Sequence, residues 1–120
     1  MNRHERGMRE AVRAAFRSKF YSHRVGAALF QGNRLIAWGC NQKKSHPQNT
    51  CSISRHGEFD ALIRLPRYRI EGGRLYIARL TRTDRVSYAK PCIHCHDFLL
   101  SFPLDAIYYA GYDGSPVLLV

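Results

Sequence analysis

The sequence predicts an α/β fold: a single three-layer domain in which a five-stranded mixed sheet is flanked by helices, with the last two strands antiparallel. Three observations lead there. Segments 21–30, 34–40, 75–78, 106–110 and 116–120 are rich in β-branched, aromatic and small residues, and they are interspersed with stretches whose apolar residues recur at helical spacing. The chain has 120 residues and is 45% hydrophobic, enough for one domain core and too apolar for a disordered polymer. Residues 111–115 are too few to hold a crossover helix, so the strands on either side of them form a hairpin.

Each element has its own justification. Over residues 5–18, Met8, Val12, Ala15 and Phe16 form an apolar stripe, and Arg6, Arg9, Arg13 and Arg17 share another face. Those arginines repel one another, so the ridge is either a solvated face or a phosphate-facing surface. Gln31-Gly32-Asn33 is turn chemistry between two strands. Residues 43–55 are polar and read as a loop at the rim of a site, with Ser54 a suitable N-cap for a helix running to Pro66. Phe59, Leu62, Ile63 and Leu65 are the apolar face of that helix. A basic connection over 67–73 ends in Gly72-Gly73, and a central strand follows. Ten residues, 81–90, then lead to Pro91, and a helix from Pro91 to about residue 101 buries Phe98, Leu99 and Phe102 before Pro103 stops it.

Two short motifs carry the chemistry. His56-Gly57-Glu58 is followed, 33 residues beyond Glu58, by Pro91-Cys92-Ile93-His94-Cys95. Together they spell H-x-E and P-C-x-x-C, which resembles the signature of the zinc-dependent nucleobase deaminases. The spacing has a physical logic. Cys92 and Cys95 at i and i+3 fall on one helix face, near the positive helix end that favours thiolates. His56 supplies a neutral third ligand, and three protein ligands leave a fourth position for water, the pattern of a catalytic Zn2+ site. Glu58 is placed to take a proton from that water. A C-x-x-C alone also fits a redox pair or half a structural zinc site. Neither a thioredoxin-like context nor a fourth ligand with paired spacing among Cys40, Cys51, His46, His94 and His96 accompanies it here. His94 and His96 read as surface or helix-packing residues, and Cys40 and Cys51 as buried thiols outside any disulfide framework.

The resemblance extends to the first hairpin. Tyr21-Ser22, then Val25-Gly26-Ala27-Ala28-Leu29, then Gly39-Cys40-Asn41 are similar to the opening of cytidine deaminases, with one residue fewer before Val25. It implies the cytidine deaminase-like fold over residues 20–120, an oligomer (a dimer or tetramer), and a sugar-binding role for Asn41. Gly57, between the two site residues, would let a base approach the backbone. It also implies hydrolytic deamination, a hydrolase acting on the C–N bond of a cyclic amidine. Glu58 takes the proton of the attacking water and returns protons to the ring nitrogen and the leaving amine. The chain departs from the pattern where free-nucleoside enzymes carry a ribose-binding Glu: Lys43 stands there. A lysine attracts a phosphate that a carboxylate would repel, which favours a nucleotide such as dCMP or CMP, or a nucleic acid, over free cytidine.

Net charge bears on the same choice. Nineteen Lys+Arg against 9 Asp+Glu give +10, which suits an anionic partner or simply aids solubility. Three readings follow: a nucleotide deaminase, a deaminase of single-stranded DNA or RNA, and a non-catalytic zinc domain that binds nucleic acid. Glu58 argues against the third. The N-terminus has no apolar signal region and no apolar run approaches membrane length, so the expectation is a cytoplasmic protein with no membrane partner.

Overall fold

Strand β1 (Arg24–Gln31) is the middle of the architecture, with Ala27, Ala28 and Leu29 at zero exposure and Phe30 at 1%. A strand covered on both faces needs such a run of small and apolar side chains. The computed structural model describes residues 2–18, 24–41, 62, 65–91 and 93–119. Helix α1 (Arg3–Ala15) precedes β1, and β2 (Arg34–Cys40) returns antiparallel beside it. The turn uses Gly32 at φ 60° with Asn33 in the ordinary region, the type II′ pattern for two-residue hairpins.

Then come α2 (Arg67–Ile70), β3 (Arg74–Leu80), β4 (Val86–Ser87), α3 (Ile93–Leu99), β5 (Ala106–Ala110) and β6 (Pro116–Leu118). The strand order is β2-β1-β3-β5-β6, with β4 paired to β3. β1 and β3 are antiparallel, β3 and β5 parallel, and β5 and β6 antiparallel. The mixed sheet and the closing hairpin are those expected. The sixth strand is an addition: β4 is a two-residue pairing within the 81–90 segment expected as a loop. The basic connection likewise contains the single turn α2.

Helix α1 begins earlier and ends sooner than its periodicity suggests. The Asn2 side chain accepts a hydrogen bond from the Glu5 N–H at 2.8 Å, which sets the start. At the other end, the N–H groups of Arg17 and Ser18 donate three residues back, to Ala14 and Ala15, and the chain tightens out of the helix. The buried face is Gly7, Met8, Ala11, Ala14 and Ala15. Phe16, expected in the apolar stripe, is 51% exposed, and the Arg24 guanidinium lies 5.5 Å from its ring centre. The reason is close packing of backbones. A Cβ on Gly26 would collide with the Ala15 nitrogen and the Ala11 carbonyl oxygen, so the interface accepts only small residues.

The sheet face toward α1 carries Phe30, Tyr76 and Tyr108. Tyr76 is fully buried, stacked on Tyr108 at 5.3 Å and edge-on to Phe30 at 5.7 Å. The opposite face presents Leu29, Leu75, Ile77 and Ile107, which share one core with Leu62 and Leu99. Cys40 is buried as expected; Cys51 lies outside the described residues. Among the described residues, no helix is long and apolar enough to cross a membrane.

Candidate active site

One edge of the sheet gathers the beginning of β1, the end of β2 and the C-terminal ends of the parallel pair β3 and β5. In parallel α/β sheets this carboxyl edge is where ligands bind. Asn41 follows β2 there and is 5% exposed. Its N–H donates to the Val25 carbonyl at 3.0 Å, and its side-chain oxygen accepts from the Val25 N–H at 3.0 Å. The side chain thus extends the β1–β2 ladder by one rung.

From the same edge the chain enters α3. The Ala89 N–H donates to the Ala110 carbonyl at 2.9 Å, which fastens the approach to Pro91 against the end of β5. Cys95 is the third residue of α3 and has no solvent exposure. A wholly buried thiol one turn into the helix suits a metal ligand shielded from oxidation and solvent. His96, on the next position, is partly exposed with its Nδ1 3.5 Å from Asp97. His56, Gly57, Glu58, Cys92 and Lys43 lie outside the described residues, as does the side chain of His94. The described residues alone hold no cluster of three metal-ligating side chains, since two of the expected ligands are not among them.

The segment leading to α3 is braced. The Arg24 guanidinium donates to the Thr81 carbonyl and to Asp84 Oδ1, joining the start of β1 to the turn after β3. Asp84 has φ 65°, the left-handed region that few non-glycine residues enter, and the arginine bond holds it there. Sequence reasoning gave Arg24 no role, because its partner lies 60 residues away.

At the same edge, Tyr88 and Tyr112 stack with ring centres 4.2 Å apart and planes 8° from parallel. Tyr112 is 84% exposed, so one aromatic face is open to solvent. Tyr76, Tyr108 and Tyr109, by contrast, pack within the sheet.

The arginine ridge of α1 does not act as a unit. Arg13 pairs with Glu10 at 2.9 Å, and Arg17 covers the Trp38 ring at 4.3 Å, both at a groove of about 620 Å³ between α1 and β2. Arg9 is exposed, whereas Arg6 turns to the hairpin and donates to the Asn33 carbonyl at 2.5 Å. The ridge is therefore three local arrangements and one solvated residue.

Residues 1–111 match the family described as the cytidine and deoxycytidylate deaminase zinc-binding region, and the chain belongs to that family. Its fold is that of solved deaminases. A dCMP deaminase from the cyanophage S-TIM5 superposes with a TM-score of 0.64 at 21% identity, over 89% of this chain and 81% of that one. Cytidine deaminase from Mycobacterium leprae gives 0.58 at 21% identity, over 95% and 91%. RibD from Acinetobacter baumannii gives 0.63 at 21%, over 91% of this chain but only 28% of its own, so this chain spans little more than a quarter of that protein. No curated protein sequence matches the chain.

Proposed function

We propose that residues 1–120 act as one zinc-dependent domain that hydrolytically deaminates a cytosine-type base, most readily on a nucleotide such as dCMP or CMP. The observation that carries this reading is the buried Cys95 in the first turn of α3, at the sheet edge that also holds Asn41. Family membership, and the order of His56, Glu58, Cys92 and Cys95 along the chain, support it.

In this reading His56, Cys92 and Cys95 hold Zn2+, a donor set of one imidazole and two thiolates that fits a tetrahedral ion with one open position. Bound there, the ion would supply Lewis acidity that lowers the pKa of a water molecule toward ~7. Glu58 removes a proton from the water that attacks C4, and protonates N3 of the base. The carboxylate then takes the remaining proton of that water, now on the C4 hydroxyl, and passes it to the exocyclic amine; the C4–N4 bond breaks, and ammonia leaves while the base becomes uracil. Atoms balance as one water consumed and one ammonia released. Asn41 donates from its amide nitrogen to the sugar, Gly57 lets the base approach the backbone, and Lys43 faces the phosphate.

The test is ammonia release by zinc-loaded protein offered cytidine, CMP, dCMP, adenosine and a short single-stranded oligonucleotide. Nucleotides are expected to turn over faster than cytidine, and Lys43→Glu to reverse that order. Glu58→Ala should keep its zinc, measured by atomic absorption, yet lose about 10²–10⁴ in turnover. A fully active Glu58→Ala protein would remove the mechanism.

A second reading, deamination of single-stranded nucleic acid, is favoured by the open face of Tyr112 beside the site. An exposed aromatic ring is a stacking platform for a base next to the target. Turnover confined to the oligonucleotide, and weakened by Tyr112→Ala, would establish it over the first.

A further inference from the structure

At the other end of the sheet, one strand length from Asn41, three arginines converge without an acid among them. A cavity of about 270 Å³ is lined by Asn2, Arg3, Arg6, Phe30, Asn33 and Arg74. It sits where α1 begins, where the β1–β2 hairpin turns and where β3 starts. Strand β2 separates it from Asn41 by roughly 20 Å, taking ~3.3 Å per residue.

Arg74 is the telling residue. It is 8% exposed, and its Nε donates to the Tyr76 hydroxyl at 3.2 Å. Among the described residues it takes part in no ion pair, and neither do Arg3 and Arg6. A guanidinium removed from water without a carboxylate is costly, and two more cations at the same cavity add to the cost. What the protein supplies is weak by comparison. The Phe30 ring lies 5.4 Å from the Arg6 guanidinium carbon and 5.9 Å from that of Arg74, one π-system shared by two cations. The cavity is richer in donors than in acceptors. The Asn2 side-chain oxygen is engaged by the Glu5 N–H and the Asn33 backbone carbonyl by Arg6, so guanidinium N–H groups dominate what meets a ligand. The field is felt by a neighbour: His4 is held below its ordinary pKa by burial first, then by Arg3 and Arg74.

We propose that Arg3, Arg6 and Arg74 form a binding site for a phosphate-bearing small anion, remote from the catalytic edge. Arginine's planar fork matches phosphate oxygens two at a time, and a short polyphosphate would neutralise all three cations at once. The cavity is smaller than the usual small-molecule pocket of ~300–1,000 Å³, so it takes a phosphate or polyphosphate group and leaves any attached nucleoside outside. The site does not depend on the deaminase reading.

The experiment is calorimetric titration of the full chain with sodium tripolyphosphate and, separately, with a nucleoside triphosphate, at low salt. One saturable site is expected, weakened about tenfold or more by Arg3→Gln or Arg6→Gln, since each removes a charge-assisted bond to the anion. Arg9→Gln, an equal loss of charge on the exposed side of the same helix, is expected to bind as the wild type does. Equal affinity for both anions assigns the ligand as free polyphosphate. Tighter binding of the nucleotide, still lost in Arg6→Gln, assigns it as a nucleotide's tail. The proposal is overturned by no saturable binding, by equal weakening in Arg9→Gln, or by binding indifferent to Arg3→Gln and Arg6→Gln. Heat from zinc captured by tripolyphosphate would be the same in every variant and so counts with the last. Tight binding of a single-stranded oligonucleotide that tripolyphosphate fails to displace also overturns it. Arg74→Lys is the companion variant where it folds; the rim variants decide the matter where it does not.

Discussion

Asn41 shows one side chain serving two ends. Its oxygen closes the β1–β2 ladder on the Val25 N–H, and in the proposed reading its amide also meets the sugar of the substrate. Asn41→Ala removes both, so it should lower stability by about 1–3 kcal/mol, the cost of a buried N–H left without a partner. It should also raise KM. Urea unfolding and steady-state kinetics on one preparation separate the two effects. His4 offers a second test. Its Nδ1 lies 2.9 Å from the Tyr76 hydroxyl, which accepts from Arg74 Nε and therefore gives its own proton to a neutral imidazole. The folded pKa is lowered, so the unfolded chain binds the proton more readily. The His4 contribution is thus complete above about pH 6.5 and is lost as pH falls through the depressed folded value. The wild-type Tm should drop between pH 7 and 5 by more than that of His4→Gln. At this scale residue type and spacing mark His56, Glu58, Cys92 and Cys95 as the candidates, and of these the described residues include Cys95, buried in α3. The ladder role of Asn41 was not legible in the sequence, because it depends on a residue 16 positions earlier arriving opposite it.

Among elements, the contact of α1 with β1 is the least tolerant. A methyl group on Gly26 meets helix backbone, which cannot rotate away as a flexible side chain would. Gly26→Ala should therefore cost at least ~1–3 kcal/mol, the upper range of overpacking. Gly32→Ala meets nothing within 4 Å and suffers only from its φ of 60°, so about 1 kcal/mol is expected. A comparison of their urea midpoints tests the ordering. The Arg24 brace predicts a different signature. Asp84 is 60% exposed, so Arg24→Ala should cost only about 1 kcal/mol globally. Limited proteolysis, however, should cut residues 81–85 much sooner. Hydrophobic periodicity located α1 and the strands, since period and burial follow from the residues themselves. It missed α2, whose end is held by the Gln31 amide donating to the Arg69 and Glu71 carbonyls, β4, which exists only by pairing with the end of β3, and the outward turn of Phe16, which follows from the close approach of Gly26 to α1.

For the whole molecule, the charge of +10 resolves into separate parts. Arg13 and Arg17 are engaged at the groove beside Trp38, and Arg3, Arg6 and Arg74 surround the far cavity. A mononucleotide substrate engages few of these cations, so log KM should change with log salt at a slope near one or below. An oligonucleotide spanning several would give a slope of about 0.7 per phosphate contacted. Measuring KM for both across a salt series distinguishes the two readings of function. The strand topology was readable from connection lengths, because five residues, 111–115, can only turn back. What the lengths could not convey is the place of β1 between two antiparallel partners. From Gly26 to Phe30 it is paired with β2 on one side and β3 on the other. Its amide hydrogens are shielded from both directions and have no edge from which to fray. In deuterated water these should be the slowest protons to exchange, released only when the entire chain opens. Their rate is then a direct reading of global stability, against which the earlier loss of Thr81 to Arg85 can be timed in a single experiment.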